Sequence, residues 1–218
     1  MTKRINILGN GNHAGLYQRG SPGTLLICNM PPMEIPPEEV FATCMVDYKM
    51  MKALQEGKFA LDQYDWILGT RPRHWMEMQG SFYLKYSHKV RGFYPHVPGY
   101  AGNATNFNCG HFAVHYACNK MNADEVHIYG FDSIFEMDIT SWTDTILESD
   151  RSTENTVRLA NNWRPIWTEM FKEFPNITFF LYHTHNNIKI PIESDNVQIV
   201  VTTSKESKTN IKLSLIHI

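Results

Sequence analysis

Short, almost unbroken apolar runs recur along this chain, stopped by glycine, asparagine or proline and separated by stretches of helical spacing. Arg4–Leu8 (RINIL), Thr24–Cys28 (TLLIC), Phe41–Val46 (FATCMV), Trp66–Leu68 (WIL), DEVHIYGFD up to Gly130 and NITFFLYH are such runs. Runs this short and this apolar are strands buried on both faces, as in a parallel sheet covered by helices. Asp47 is placed to cap a helix through YKMMKALQEG that Gly57 ends. Asn108 to Met121 has helical spacing, and Thr153–Phe174 is the longest helix, closed by Pro175. Alternating strands and helices specify an α/β fold, one doubly wound and mostly parallel sheet. Arg71 to His96 reads as a short helix followed by irregular chain, and IKIPIESDNVQIVVTT as a short hairpin.

At 218 residues the chain is long enough for one domain with a substantial core. Hydrophobic residues at 43% and charged residues at 19% are ordinary for a globular protein, and a net charge of −2 argues against a generic polyanion binder. Cys28, Cys44, Cys109 and Cys118 have no metal-ligand spacing and sit in or beside apolar runs, so they read as reduced, buried thiols of a cytoplasmic protein. No stretch approaches the roughly 20 apolar residues that span a bilayer, and the start lacks a signal-like apolar region. The end, LSLIHI (213–218), resembles a translated sequencing adaptor; the expected native domain is therefore 1–212.

The turn Gly9–Asn10–Gly11–Asn12–His13–Ala14 follows the first strand and satisfies G-x-G-x-x-A. A dinucleotide fold would place a carboxylate at the end of the second strand to hold the ribose. Asn29 stands there instead, which argues against a nicotinamide cofactor. Two readings remain: a turn that merely lets strand and helix pack, or a phosphate or ribose contact in another nucleotide fold. Because ligands of open α/β sheets lie beyond the carboxyl ends of strands, Asn29, Asp47 and Asp132 gain weight, with Asn108–Gly110 at a helix start.

INILGNGNHAG, LLICNM and NCGHFAVHYACNKMNADEVHIYGFDSIF, in that order, resemble the bacterial lipooligosaccharide sialyltransferases and their relatives. The resemblance covers roughly the first 135 residues in patches. It implies a Rossmann-like variant of the nucleotide-sugar glycosyltransferase fold and a UDP- or CMP-sugar donor, with no tightly bound cofactor. By that match Asn10, Gly11, Asn29, Cys109 and Gly110 contact the donor nucleotide, in a crevice that Gly9, Asn108 and Asp132 complete. Two departures matter. Cys109 replaces a hydroxyl residue, and no histidine occurs from Ile128 to Tyr182, where the family carries its general base.

Glycosyl transfer to a hydroxyl needs a base near the acceptor oxygen and charge stabilisation on the leaving phosphate. Asp47 and Asp150 are the carboxylates best placed for the first task, with His185 next, and Arg151 suits the second. Against these stand plainer readings: Asp47 as a helix cap, Asp150–Arg151 as a cap and a solvated arginine. His183 and His185 in YHTHNN point the same way in extended chain, as surface histidines, a metal pair or a base. No D-x-D occurs, so metal independence is expected.

Between Arg71 and His96 lie five cations (Arg71, Arg73, Lys85, Lys89, Arg91) against the single acid Glu77, with six aromatics that include Trp75 and Tyr86. Cations beside aromatics suit a nucleic-acid groove; the alternative is a lid whose rings pack on the sheet. The groove reading makes 5-hydroxymethylcytosine in phage DNA the favoured acceptor, in the host cytoplasm, gripped by Arg71, Arg73, Trp75, Tyr86 and Lys89. Competing readings are a surface-glycan transferase, a non-catalytic nucleotide-binding or virion-associated module, and a pterin diphosphokinase.

Overall fold

The computed structural model describes residues 2–202; the adaptor-like end and the rest of 203–218 lie outside the described residues. Eight strands form one sheet in the order β5-β4-β3-β2-β1-β6-β7-β8, every neighbouring pair parallel. They are β1 (Arg4–Leu8), β2 (Thr24–Cys28), β3 (Ala42–Met45), β4 (Trp66–Leu68), β5 (Val90–Phe93), β6 (Glu125–Tyr129), β7 (Thr178–His183) and β8 (Val197–Val201). The helices are α1 (Lys49–Gln55), α2 (Thr70–Met78), α3 (Gly80–Tyr86), α4 (Cys109–Asn119), α5 (Asp144–Leu147) and α6 (Thr153–Glu173).

The unbroken apolar runs are explained by two buried faces. On one, Ile5, Ile7, Leu26, Ile128 and Leu181 meet Phe112 and Val114 of α4 and Trp167 and Phe171 of α6. On the other, Met45, Trp66 and Leu68 meet Met50 and Met51 of α1 and Phe82 and Tyr86 of α3. Leu8, Leu25, Ile27 and Tyr129 on that same face are covered by Tyr17 and Ile35, from connections without α-helix, and by Tyr64, which follows α1. The four cysteines are free thiols; Cys28, Cys44 and Cys118 are buried and Cys109 is partly exposed. Among the described residues no helix is long and apolar enough to cross a membrane.

Two expectations need correction. Arg71 to His96 is not mostly irregular: it folds into α2, α3 and the edge strand β5. The expected terminal hairpin is absent, because β8 pairs parallel to β7. IKIPI cannot act as its antiparallel partner, since Lys189 N–H donates to Ile134 O and Thr168 Oγ1 to Pro191 O, tying that segment to the chain after β6 and to α6.

Candidate functional site

Strand order reverses between β1 and β6, and α4 carries the chain across that point. The turns after β1, β6 and β7 therefore gather at one edge, where α/β proteins hold ligands. The glycine turn is used by the chain itself. Gly9 N–H donates to Tyr129 O and Gly11 N–H to Gly130 O, both at 2.8 Å. A Cβ on Gly11 would lie 2.7 Å from the Asp132 carboxyl carbon. The His13 amide donates to the Asp132 carboxylate at 3.2 and 3.3 Å, so a protein carboxylate fills the place a phosphate would take. The glycines are needed for close packing, but against the chain after β6 rather than between strand and helix, since only a 3-10 turn, Asn12–Leu16, follows β1.

The other expected donor contacts divide. Asn10 accepts from Trp142 twice, backbone to backbone at 3.0 Å and side chain to indole at 3.2 Å, and the indole also reaches Met30 O at 3.1 Å. Residues near 142 thus cap the ends of β1 and β2. Asn108 caps α4: its side chain accepts the His111 amide at 3.0 Å, and His111 Nδ1 accepts the Asn108 amide at 3.2 Å. The Cys109 thiol donates to Cys44 O at 2.6 Å, and Gly110 lies under the Phe131 ring. Asn29 adopts left-handed backbone at φ 58°, and no described residue hydrogen-bonds its side-chain amide. Of the expected set, Asn29 alone presents an uncommitted polar side chain to the edge.

Beside these contacts the fold assembles a cluster that residue spacing does not reveal. His13 from the turn after β1, Asp132 and Glu136 from the chain after β6, and His183 and His185 at the end of β7 come together. His13 Nδ1 lies 3.1 Å from Asp132 Oδ1, without the alignment of a hydrogen bond, and its Nε2 meets Thr184 Oγ1 at 3.1 Å. The Asp132 carboxylate holds His13's pKa above the ordinary value, against burial and with help from Glu136. The His183 ring is 0% exposed, wedged between His13 at 3.7 Å and Phe135 at 4.3 Å between ring centres. Burial first, then the charges of His13 and His185, push its pKa down to about 4. Glu136 Oε1 lies 3.2 Å from Nε2 of both His183 and His185. His185 is the most exposed of the three histidines, its Nδ1 accepting the Asn187 amide at 3.2 Å.

His13 and Glu136 were not among the expected site residues. The available signals were a histidine inside the glycine turn and the H-x-H after β7, whose shared direction the common Glu136 contact bears out. His183, however, is buried rather than a surface histidine.

The proposed carboxylate bases serve local structure. Asp47 Oδ1 accepts the Lys49 amide at 2.9 Å and its other oxygen lies 3.6 Å from Arg71 Nη1. Asp150 accepts the Ser152 amide at 2.9 Å, which holds its pKa below the usual range, against the needs of a base near neutrality. Arg151 is held by Asp144 through two hydrogen bonds of 2.7 Å, so its guanidinium is engaged before any phosphate arrives.

The basic, aromatic segment also turns inward. Tyr86 is 7% exposed against Trp66 and Phe82, and half-buried Trp75 meets Phe82 edge-on. Tyr86 therefore cannot stack a nucleic-acid base without opening the core. Arg73 pairs with Glu77 and lies over Phe93, while Lys89 and Arg91 share Asp65.

The chain matches no family model, no curated protein and no solved structure. Fold and site together define an open, doubly wound α/β protein of Rossmann-like form, with a histidine–carboxylate cluster at its topological switch point.

Proposed function

We propose that the protein is a glycosyltransferase that moves a sugar from a nucleotide-sugar donor to a hydroxyl acceptor at the β1/β6 switch point. The observation that carries this reading is the meeting there of three histidines and two carboxylates from three separate turns. A doubly wound sheet supports a nucleotide at this edge, and the Asn29 amide is the group free to bind it. Trp142 rests on Asn10 and Met30, so the residues around it act as a cap that must lift for the nucleotide to enter.

His185 replaces Asp47 and Asp150 as the base, because it is the cluster's most exposed imidazole and Glu136 orients it. In the transfer step the acceptor oxygen bonds to the anomeric carbon and the bond from that carbon to the donor phosphate breaks. The hydroxyl proton passes to the His185 ring, which gives up the Asn187 amide contact, and the nucleotide leaves with the bonding electrons. The acceptor is proposed only as a hydroxyl. Exposed Arg73 and its neighbours leave hydroxymethylated DNA a candidate by charge, without the stacking platform that Tyr86 would have supplied.

The test has two parts. UDP- and CMP-sugars are screened for thermal stabilisation of the protein. Released nucleotide is then followed with hydroxymethylated DNA and with a soluble glycan as acceptors. Asn29→Gly keeps the left-handed backbone while removing the amide; it should abolish stabilisation by nucleotide and leave the fold intact. Stabilisation that survives in Asn29→Gly would move the donor elsewhere, and no stabilisation of the wild-type chain by any donor would defeat the reading.

A further inference from the structure

His183 Nε2 and His13 Nδ1 are buried ring nitrogens without an aligned hydrogen-bond partner, although each has a carboxylate oxygen 3.1–3.2 Å away. Buried polar atoms are normally satisfied, and two unsatisfied ones in one cluster call for a common cause. We propose that His13, Asp132 and His183 bind one divalent transition-metal ion, with Glu136 as an adjoining ligand and His185 left free of the ion.

The geometry fits. One ligand atom from each of His13, Asp132 and His183 lies within 4.8 Å of the other two, and the same holds for Glu136, His183 and His185. Zinc binds imidazole and carboxylate at roughly 2.0–2.2 Å, which sets ligand atoms on a tetrahedral ion roughly 3.3–3.5 Å apart. The cluster needs only small side-chain adjustments to reach that. An imidazole and carboxylate set without thiolate suits Zn²⁺, Fe²⁺ or Mn²⁺ better than Ca²⁺ or Mg²⁺. A second shell is present: Thr184 Oγ1, 3.1 Å from His13 Nε2, can accept that ring's N–H when Nδ1 takes the ion. At His183 the ion displaces the Nε2 proton. The ring's one proton then resides on Nδ1, which releases its 3.3 Å contact from the His185 amide.

A second histidine–carboxylate group, His96, His115 and Glu173, lacks this signature. His115 Nδ1 meets Tyr94 OH at 2.6 Å and its Nε2 meets Glu173 at 3.2 Å, so both nitrogens are satisfied. The missing D-x-D pair does not bear on an ion held mainly by imidazoles.

The experiment is calorimetric titration of chelator-stripped, desalted full-length protein with ZnCl₂ and, separately, MnCl₂. Absorption spectra with Co²⁺ report the ligand set. One ion should bind per chain, and the cobalt bands and the heat should vanish in His183→Gln and Asp132→Asn proteins whose circular dichroism is unchanged. Thr184→Val should weaken binding by about 10- to 100-fold, which keeps the test open if a ligand variant fails to fold. His96→Gln should change nothing. No binding by the wild-type chain, unaltered binding in the ligand variants and in Thr184→Val, or loss of binding in His96→Gln would each overturn the site. Metal alone is the probe, so the result stands apart from whether any sugar is transferred.

Discussion

At position 110 there is no room for a side chain: a Cβ would lie 2.1 Å from the Phe131 ring. Gly110→Ala should therefore destabilise the protein by about 1–3 kcal/mol through overpacking, read from denaturant midpoints. Pairing it with Phe131→Leu should recover part of the loss, since neighbours in contact are not additive; an unaffected single variant would refute the packing argument. His111 offers a pH test. Its Nδ1 accepts the Asn108 amide and its Nε2–H donates to Trp163 O at 3.1 Å, the pattern of a neutral ring. Burial pushes its pKa down to about 3 from an ordinary 6.5. Between those values the unfolded chain binds the extra proton. His111's contribution is therefore whole above pH 6.5 and is lost as pH falls toward 3, by up to about 1.4 kcal/mol per pH unit. His111→Gln should reduce the slope of stability against pH between 6.5 and 4.5; an unchanged slope would show that His111 is not held neutral. At this scale much could be read in the chain, including Asn108 at a helix start, whereas Asp47 sits one residue before the N-cap Tyr48 and only holds the Lys49 amide. The purpose of the glycines could not be read, because Gly11 and Gly110 are small for the sake of Asp132 and Phe131, residues distant from them in sequence.

Strands buried on both faces announce themselves, and Arg4–Leu8, Thr24–Cys28 and Trp66–Leu68 have the same bounds in the sequence reading and in the structure. The edge strands β5 and β8 do not, since none of their residues is fully buried and the one-sided cover leaves no unbroken apolar run. The α2–α3 unit shows the same limit: rings and cations that suit a groove on paper meet the core and nearby carboxylates. Tyr86→Ala should cost about 3 kcal/mol or more, as for other buried rings, while Arg73→Ala should cost under about 1 kcal/mol, as for exposed ion pairs. A Tyr86→Ala protein as stable as wild type would return that ring to the surface and revive the stacking platform. Around Trp142, Trp142→Ala should speed amide exchange of residues near 142 and strengthen nucleotide-sugar binding if that segment caps the crevice. Weaker binding would make Trp142 part of the seat.

Across the whole molecule, the sheet order brings residues 13, 132, 136, 183 and 185 to one edge. The alternation of strands and helices was enough to specify the doubly wound class, and that class names the edge where a ligand belongs. It does not name the side chains there, because the turn that carries His13 is more than a hundred residues from those that carry Asp132 and His183. If this edge is the reacting centre, the rate of nucleotide release from the donor that stabilises the protein depends on His185, and it is compared between wild type and His185→Gln with folding verified. Loss of a positioned base predicts a fall of about 100- to 10,000-fold with donor binding retained. An unchanged rate in His185→Gln would show that this edge is not the reacting centre.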